Sequence, residues 1–371
     1  MTTPTSPVAL TPLLGFPEVC EGDDLAEILL TSLRDNEIQL RDGDILVISS
    51  KVVSKAMGLT APAGDQAEVV LSQTVRVLAE RMTPAGVTRI VESLAGPVMT
   101  AAGVDASNTA DESILLLLPH APDAVAAAIR DGVQTGWLAR SGASVLTGVI
   151  LSDTAGRPWR NGQTDFALGS SGVRVVDDLR GSADTNGRVL SVTERCVADE
   201  VAAAADLVKG KADGVPVAHV RGLGQYVQDT GTSGARDLIR TGPQDRFGYG
   251  MLEAVRAALG VEPGSAVASE VGIPCIAGED VATRAGRALR VALLTCPDAM
   301  AQVDDRTISL TAPDDYALGV VASRAEVALR GEGLIPTLTR VPAQTATASS
   351  AAALSTAELL TSQPGVLIAF Q

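Results

Sequence analysis

Strand-like and helix-like segments alternate along the 371 residues, and the fold class they predict is mixed, α/β or α+β. Two observations frame this. Hydrophobic residues make up 46% of the chain and aromatic residues only 2%, so the core has to be built from Ala, Val, Leu and Ile. No internal repeat is present, and the length suits one large domain or two ordinary ones.

The elements follow in order. Residues 22–34 place Leu25, Ile28, Leu29 and Leu33 at helical spacing behind Asp23 and Asp24, and acidic groups suit a helix N-terminus. The stretch 42–58, DGDILVISSKVVSKAMG, reads as a turn, a buried strand over Ile45–Ile48 and a polar tail with Ser49, Ser50, Lys51, Ser54 and Lys55. Residues 66–83 look helical. Residues 96–108 read as a strand running into a small-residue loop, and 113–133 as a strand, a proline break and a helix. Ser144–Leu151 is a strand whose apolar run stops at Ser152-Asp153-Thr154. Asn186-Gly187 favours a type I′ turn. Val197, Val201, Ala204 and Val208 share a helix face that Gly210 ends, and 215–222 is a further strand. Character changes after about residue 243. Periodicity continues over 249–330, and 342–359 is low in complexity, a linker or a weak helix.

The chain carries 44 acidic and 29 basic side chains, a formal charge of −15, which argues against a nucleic-acid partner. An anionic substrate is still allowed, because a basic pocket can sit inside an acidic protein. Cys20, Cys196, Cys275 and Cys296 form no CxxC pair, and with two histidines a zinc site is not expected. Free buried thiols in a reducing cytoplasm are the plain reading. The N-terminal stretch has no basic region followed by an apolar run, and no segment reaches the roughly 18 apolar residues of a membrane helix. The expectation is a soluble, cytoplasmic protein with no membrane partner.

Chemistry-bearing residues gather near strand ends. Asp105 and Asn108 sit in AAGVDASN, where a carboxylate on a glycine-containing loop can hold a divalent metal or simply cap an Asx-turn. Asp153 and Thr154 supply a second hard pair, and two such sites can share Mg²⁺ or Mn²⁺ with phosphate oxygens. Arg157 and Arg160 follow, suited to phosphate or carboxylate, or else to surface ion pairs with Asp165, Asp177 or Asp178. Ser50, Lys51 and Lys55 end another strand, where a lysine reaches phosphate as a point charge or stays solvated. His120 and His219 read as structural, and Glu194 and Glu200 as a solvated helix face. Phosphate-loop and dinucleotide patterns fail at 210–216 and 222–231.

Taken together, GFPEVCEGDDL, DGDILVISSKVVSKAMG, AAGVDASN, SDTAGRPWRNGQTDFALGSSGV and the long run from Asp178 to Gly222 resemble the coenzyme F-420:L-glutamate ligases (F-420-0:γ-glutamyl ligases). The resemblance implies an α+β fold with a mixed sheet, a homodimer, and a GTP-dependent ligase that adds L-glutamate to the phospholactyl side chain of coenzyme F-420-0. It implies an acyl phosphate, with GDP and phosphate released, Mg²⁺ or Mn²⁺ as metal and K⁺ as a further ion. Phe16, Pro17, Glu18, Val19, Ser50, Lys51, Lys55 and Asn108 match GTP-contacting positions, and so does the segment containing Lys209, Gly210, Lys211, Gly214 and Val215. Asp105, Asp153 and Thr154 match metal ligands. Asp153, Arg157 and Arg160 are then the catalytic set, neutralising charge that shifts in the transition state. Lys211 departs from the pattern, which has an acidic ligand there. The implied ligase domain is 8–243. Residues 244–371 form an accessory region, a truncated or diverged form of the flavin-binding, nitroreductase-like domain of some relatives. The alternatives are a bifunctional ligase with an FMN-binding reductase tail, and a non-catalytic homologue that binds a deazaflavin or a nucleotide.

Overall fold

A computed structural model describes residues 7–107, 113–210, 213–229, 233–342 and 365–371. Asn108, Lys211 and nearly all of the low-complexity stretch 342–359 lie outside the described residues. The chain divides into two compact units, residues 1–75 with 91–245, and residues 76–90 with 246–371.

The first unit runs β1 (Ala9–Pro12), α1 (Leu25–Asp35), β2 (Ile45–Ser49), α2 (Ser50–Ala56), β3 (Thr60–Pro62) and α3 (Gln66–Ser72). Strands β4 (Thr74–Thr83) and β5 (Gly86–Ser93) follow as hydrogen-bonded neighbours, and their residues 76–90 fold with the second unit. The first unit resumes with β6 (Val98–Thr100), β7 (Ile114–Leu116), α4 (Pro122–Ser141), β8 (Gly148–Arg157), β9 (Arg160–Ser171), β10 (Val176–Asp178), β11 (Glu194–Cys196), α5 (Val197–Lys209) and β12 (Val217–Arg221).

Five of these strands form one mixed sheet in the order β1-β12-β2-β8-β9. Strand β2 runs parallel to β8, and the other three pairings are antiparallel. Alternate residues serve opposite faces, as a pleated strand requires. Leu46, Ile48, Val149, Leu151 and Val217 pack with α1 and α4. Ile45, Val47, Ile150, Ala167, Ala218 and Val220 pack with Val197, Val201 and Ala205 of α5. A sheet buried on both faces explains why its central strands read as unbroken apolar runs.

Four local expectations change. Asp24 caps α1 through its carboxylate, but the polar tail Ser50–Lys55 is itself the short helix α2. Residues 66–83 are helical only to Ser72, and Thr74–Thr83 is strand. Strand β8 does not stop at Leu151 but continues through Asp153 to Arg157 and turns into β9. The Asn186-Gly187 turn is not type I′, because Asn186 lacks the positive φ that type requires. Gly187 alone has it, and Asp184 receives the Asn186 and Arg188 N–H groups. All four cysteines are free, as expected, but none is fully buried: Cys20 is exposed, and Cys196, Cys275 and Cys296 are half-buried.

The second unit has its own core. Helices α6 (Met251–Ala258), α7 (Ala266–Val271) and α8 (Val281–Leu293) precede β13 (Met300–Asp304), β14 (Thr307–Thr311), α9 (Asp315–Gly331), β15 (Pro336–Val341) and β16 (Gly365–Phe370). The strands make an antiparallel sheet ordered β13-β14-β16-β15, and Ile308, Leu310, Ile368 and Phe370 pack on α8 and α9. Beneath them Glu332 bridges Arg256 and Arg287, all three buried. No helix among the described residues is long and apolar enough to cross a membrane.

Candidate functional site

Residues far apart in sequence converge in the first unit on a cavity of about 450 Å³. It is lined by the loop Phe16–Val19, by Lys51 and Lys55 of α2, by Ser152, Asp153 and Thr154 of β8, by Asp165 of β9, and by Asp206, Lys209, Gly210, Gly214 and Val215 at the end of α5.

Lys51 and Lys55 are four apart on α2, so they share a helix face. Lys51 pairs with Asp105 at 2.9 Å and donates to Ser107 Oγ. Lys55 reaches Glu18 across the cavity rim. Both ammonium groups therefore lie where anions are accepted. Asp105 is in a small adjoining space with Ser50 and Asp153. It also accepts the Ser107 N–H at 2.7 Å, so the Asx-turn reading is realised. Burial works against its charge, but Lys51 and Ser107 outweigh burial and hold the carboxyl below its ordinary value.

Asp153 and its two neighbours on β8 all line the cavity but take different partners. Asp153 Oδ1 accepts from Ser50 Oγ at 3.2 Å on the α2 side. Ser152 and Thr154 turn to the α5 side and donate to Asp165 at 2.8 and 2.7 Å. A register shift between Leu151 and Ser152 leaves Leu168 of β9 unpaired, and such a bulge re-aims the side chains beyond it. Asp153 has no ion pair among the described residues. Burial, with the nearby charges of Asp165 and Asp105, pushes its carboxyl up to about 6.

Lys209, the last residue of α5, is 3% exposed. Its Nζ donates to Asp165 Oδ2 at 2.7 Å and to Ser152 Oγ at 2.6 Å. Gly210 then leaves the helix with φ +63°, a conformation that L side chains rarely adopt, so glycine suits the exit.

Of the residues expected from sequence, Phe16, Pro17, Glu18, Val19, Lys51, Lys55, Asp153, Thr154, Lys209, Gly210, Gly214 and Val215 line the cavity. Ser50 and Asp105 stand directly behind it. Arg157 and Arg160 do not come to it. They sit exposed at the β8–β9 turn, and Arg157 donates to the Asn161 carbonyl at 3.3 Å. Neither pairs with Asp165, Asp177 or Asp178, whose partners are Lys209, then Arg174 and Arg195, then Arg180. Sequence reasoning misses Ser152, Asp206 and the role of Asp165. Only the period-2 pattern Ser152-x-Thr154 hints that two hydroxyls face one partner.

Among the described residues no three His, Cys, Asp or Glu side chains are grouped to hold a metal. A divalent cation still fits the donor set, because Asp153 is a half-buried carboxylate with no ion pair among the described residues. Two carboxylates and a hydroxyl leave the remaining positions to substrate oxygens, which suits Mg²⁺.

A sequence profile described as F-420-0:gamma-glutamyl ligase matches residues 14–66 and 60–222, more than half of the chain. Proteins named coenzyme F-420:L-glutamate ligase are similar. One from Archaeoglobus fulgidus is 39% identical over 233 residues, covering 58% of this chain and 88% of that relative. One from Halorubrum lacusprofundi is 37% identical over 228 residues, covering 56% of this chain and 84% of the relative. One from Haloarcula marismortui is 38% identical over 233 residues, covering 56% and 84%.

Proposed function

The chain belongs to the F-420-0:gamma-glutamyl ligase family, and on that premise we propose that it joins L-glutamate to the phospholactyl side chain of coenzyme F-420-0 at the expense of GTP. In the first step the acceptor carboxylate oxygen attacks the γ-phosphorus. A C–O–P linkage forms, the bridging P–O bond breaks and GDP leaves. In the second step the amine of glutamate loses a proton and attacks the acyl carbon. The amide forms and phosphate departs with the C–O electrons.

The observation that supports this reading is the convergence on one cavity of Phe16–Val19, Lys51, Lys55, Asp153, Lys209, Gly210, Gly214 and Val215. Lys51 and Lys55 take phosphate oxygens in place of Asp105 and Glu18, as charge-assisted hydrogen bonds. Phe16 and Val19 give the nucleotide an apolar wall. Asp153, with Asp105 and Thr154, is the holder of Mg²⁺ or Mn²⁺. When bound, that cation supplies positive charge against the phosphate oxygens. The reading is tested by a product mass spectrum after incubation with GTP, Mg²⁺ or Mn²⁺, L-glutamate and coenzyme F-420-0. A product one glutamyl residue heavier, dependent on GTP, is expected. Unchanged acceptor with a folded, metal-loaded protein overturns it.

A further inference from the structure

On sequence grounds Asp165 stands only as an ion-pair partner for the hairpin arginines, yet its surroundings are unusual. Its carboxylate is 5% exposed. Oδ1 accepts from Thr154 Oγ1 at 2.7 Å, and Oδ2 accepts from Ser152 Oγ at 2.8 Å and from Lys209 Nζ at 2.7 Å.

A threonine hydroxyl has one proton. Thr154 gives that proton to Asp165, so towards the cavity its oxygen offers lone pairs alone. Such an oxygen accepts from an N–H or sits beside a cation, and it cannot donate. The same carboxylate ties down Lys209, from which the loop lining the cavity departs.

We propose that Asp165 is a positioning residue. It holds Thr154 Oγ1 as an acceptor towards a divalent cation carried by Asp153, and it fixes the Lys209 ammonium on the cavity wall. The proposal rests on the ligase reading for its purpose, but not for its test. The Asp165 oxygens are taken up by Thr154, Ser152 and Lys209, so it acts through these neighbours.

The test is Mn²⁺ binding, read from the free-ion electron paramagnetic resonance signal with no nucleotide or acceptor present. The charge-neutral replacement Asp165→Leu/Lys209→Met removes both ions of the pair, and apolar replacement of a buried pair usually preserves the fold. It is compared with Thr154→Val and with the triple variant. Loss of an outer partner of a metal ligand typically weakens binding by about tenfold or more. The expected result is that the pair replacement weakens Mn²⁺ by about that factor, while the triple variant binds no more weakly than Thr154→Val alone. An affinity within twofold of the wild type for the pair replacement overturns the proposal. So do losses that multiply in the triple variant, and so does a wild type that fails to bind Mn²⁺. Melting temperatures check the fold. Should the apolar pair not fold, Asp165→Ala/Lys209→Met keeps neutrality with less bulk and still removes the acceptor, and the same outcomes decide. A protein that shows the expected coupling but makes no glutamyl product contradicts the ligase reading alone.

Discussion

Asp153 is a carboxylate whose folded environment disfavours its own charge. Its value of about 6 stands above the ordinary 3.8, so without metal it contributes most to stability below pH 4, and that contribution is lost as pH rises through 6. Asp153→Asn is therefore expected to raise the melting temperature of the metal-free protein by a few degrees at pH 7.5, while turnover falls at least about 100-fold. Mn²⁺ should raise the wild-type melting temperature at pH 7.5, have little effect at pH 5, and leave the variant unmoved. A variant that is destabilised, or that still responds to Mn²⁺, contradicts this. Lys55 leads to a separate expectation. Lys55→Ala removes one point charge from the rim, and the KM for GTP should rise about tenfold with little change for glutamate. An equal rise for both substrates would mean a general disturbance of the pocket. At this scale most of the cavity lining is legible in the sequence, because short polar motifs such as SSKVVSK and SDT carry it. The Asp165–Lys209 pair is not, since nothing local marks two residues on different elements as partners.

At the scale of elements, periodicity is a sound guide where one face is buried. Helices α1, α4 and α5 and strands β2 and β12 lie close to where apolar spacing puts them. It misleads where burial is patchy. Thr74–Thr83 alternates buried and partly exposed positions irregularly, and its charged residues imitate a helix face. The β8–β9 hairpin hides its length because its outer half is polar and solvated. The far end of the sheet rests on Asp44, which is 1% exposed. Arg221 on β12 donates to it at 2.8 and 2.6 Å, and His219 Nε2 lies 2.9 Å away. Burial alone would raise its carboxyl, but Arg221 and His219 lower it to about 2. A lowered value means stability present above pH 4 and lost as pH falls towards 2. Asp44→Asn should cost about 1–3 kcal/mol by urea unfolding at pH 7, with the gap closing near pH 2.5. A gap independent of pH would show that the charge is not its source.

For the whole molecule, the two units decide where the chain can be divided. Residues 76–90 fold with 246–371, where Glu80 pairs with Arg89 at 2.9 Å, its N–H donates to Glu253 and its carboxylate accepts from Gly264. A cut after residue 245 strips that hairpin of its partners and bares its buried apolar residues Val77 and Leu78, so such a chain should aggregate. Joining residue 75 to residue 91 by a short turn and ending at residue 245 should give a folded ligase unit, with a KM for GTP within about threefold of the full chain. Aggregation of both forms would show that the second unit is needed for the first to fold. The composition break near residue 243 is legible in the sequence, but the return of 76–90 is not, because the hairpin lies amid family-matched residues. Isotope transfer decides whether the acceptor carboxylate is activated by phosphorylation in this cavity. Coenzyme F-420-0 carrying ¹⁸O in its reacting carboxylate is incubated with the protein, GTP, Mn²⁺ and L-glutamate, and the released phosphate is weighed by mass spectrometry. One ¹⁸O atom per glutamyl product should appear in inorganic phosphate. Amide formation with unlabelled phosphate, or with label in a guanosine monophosphate, would contradict the account.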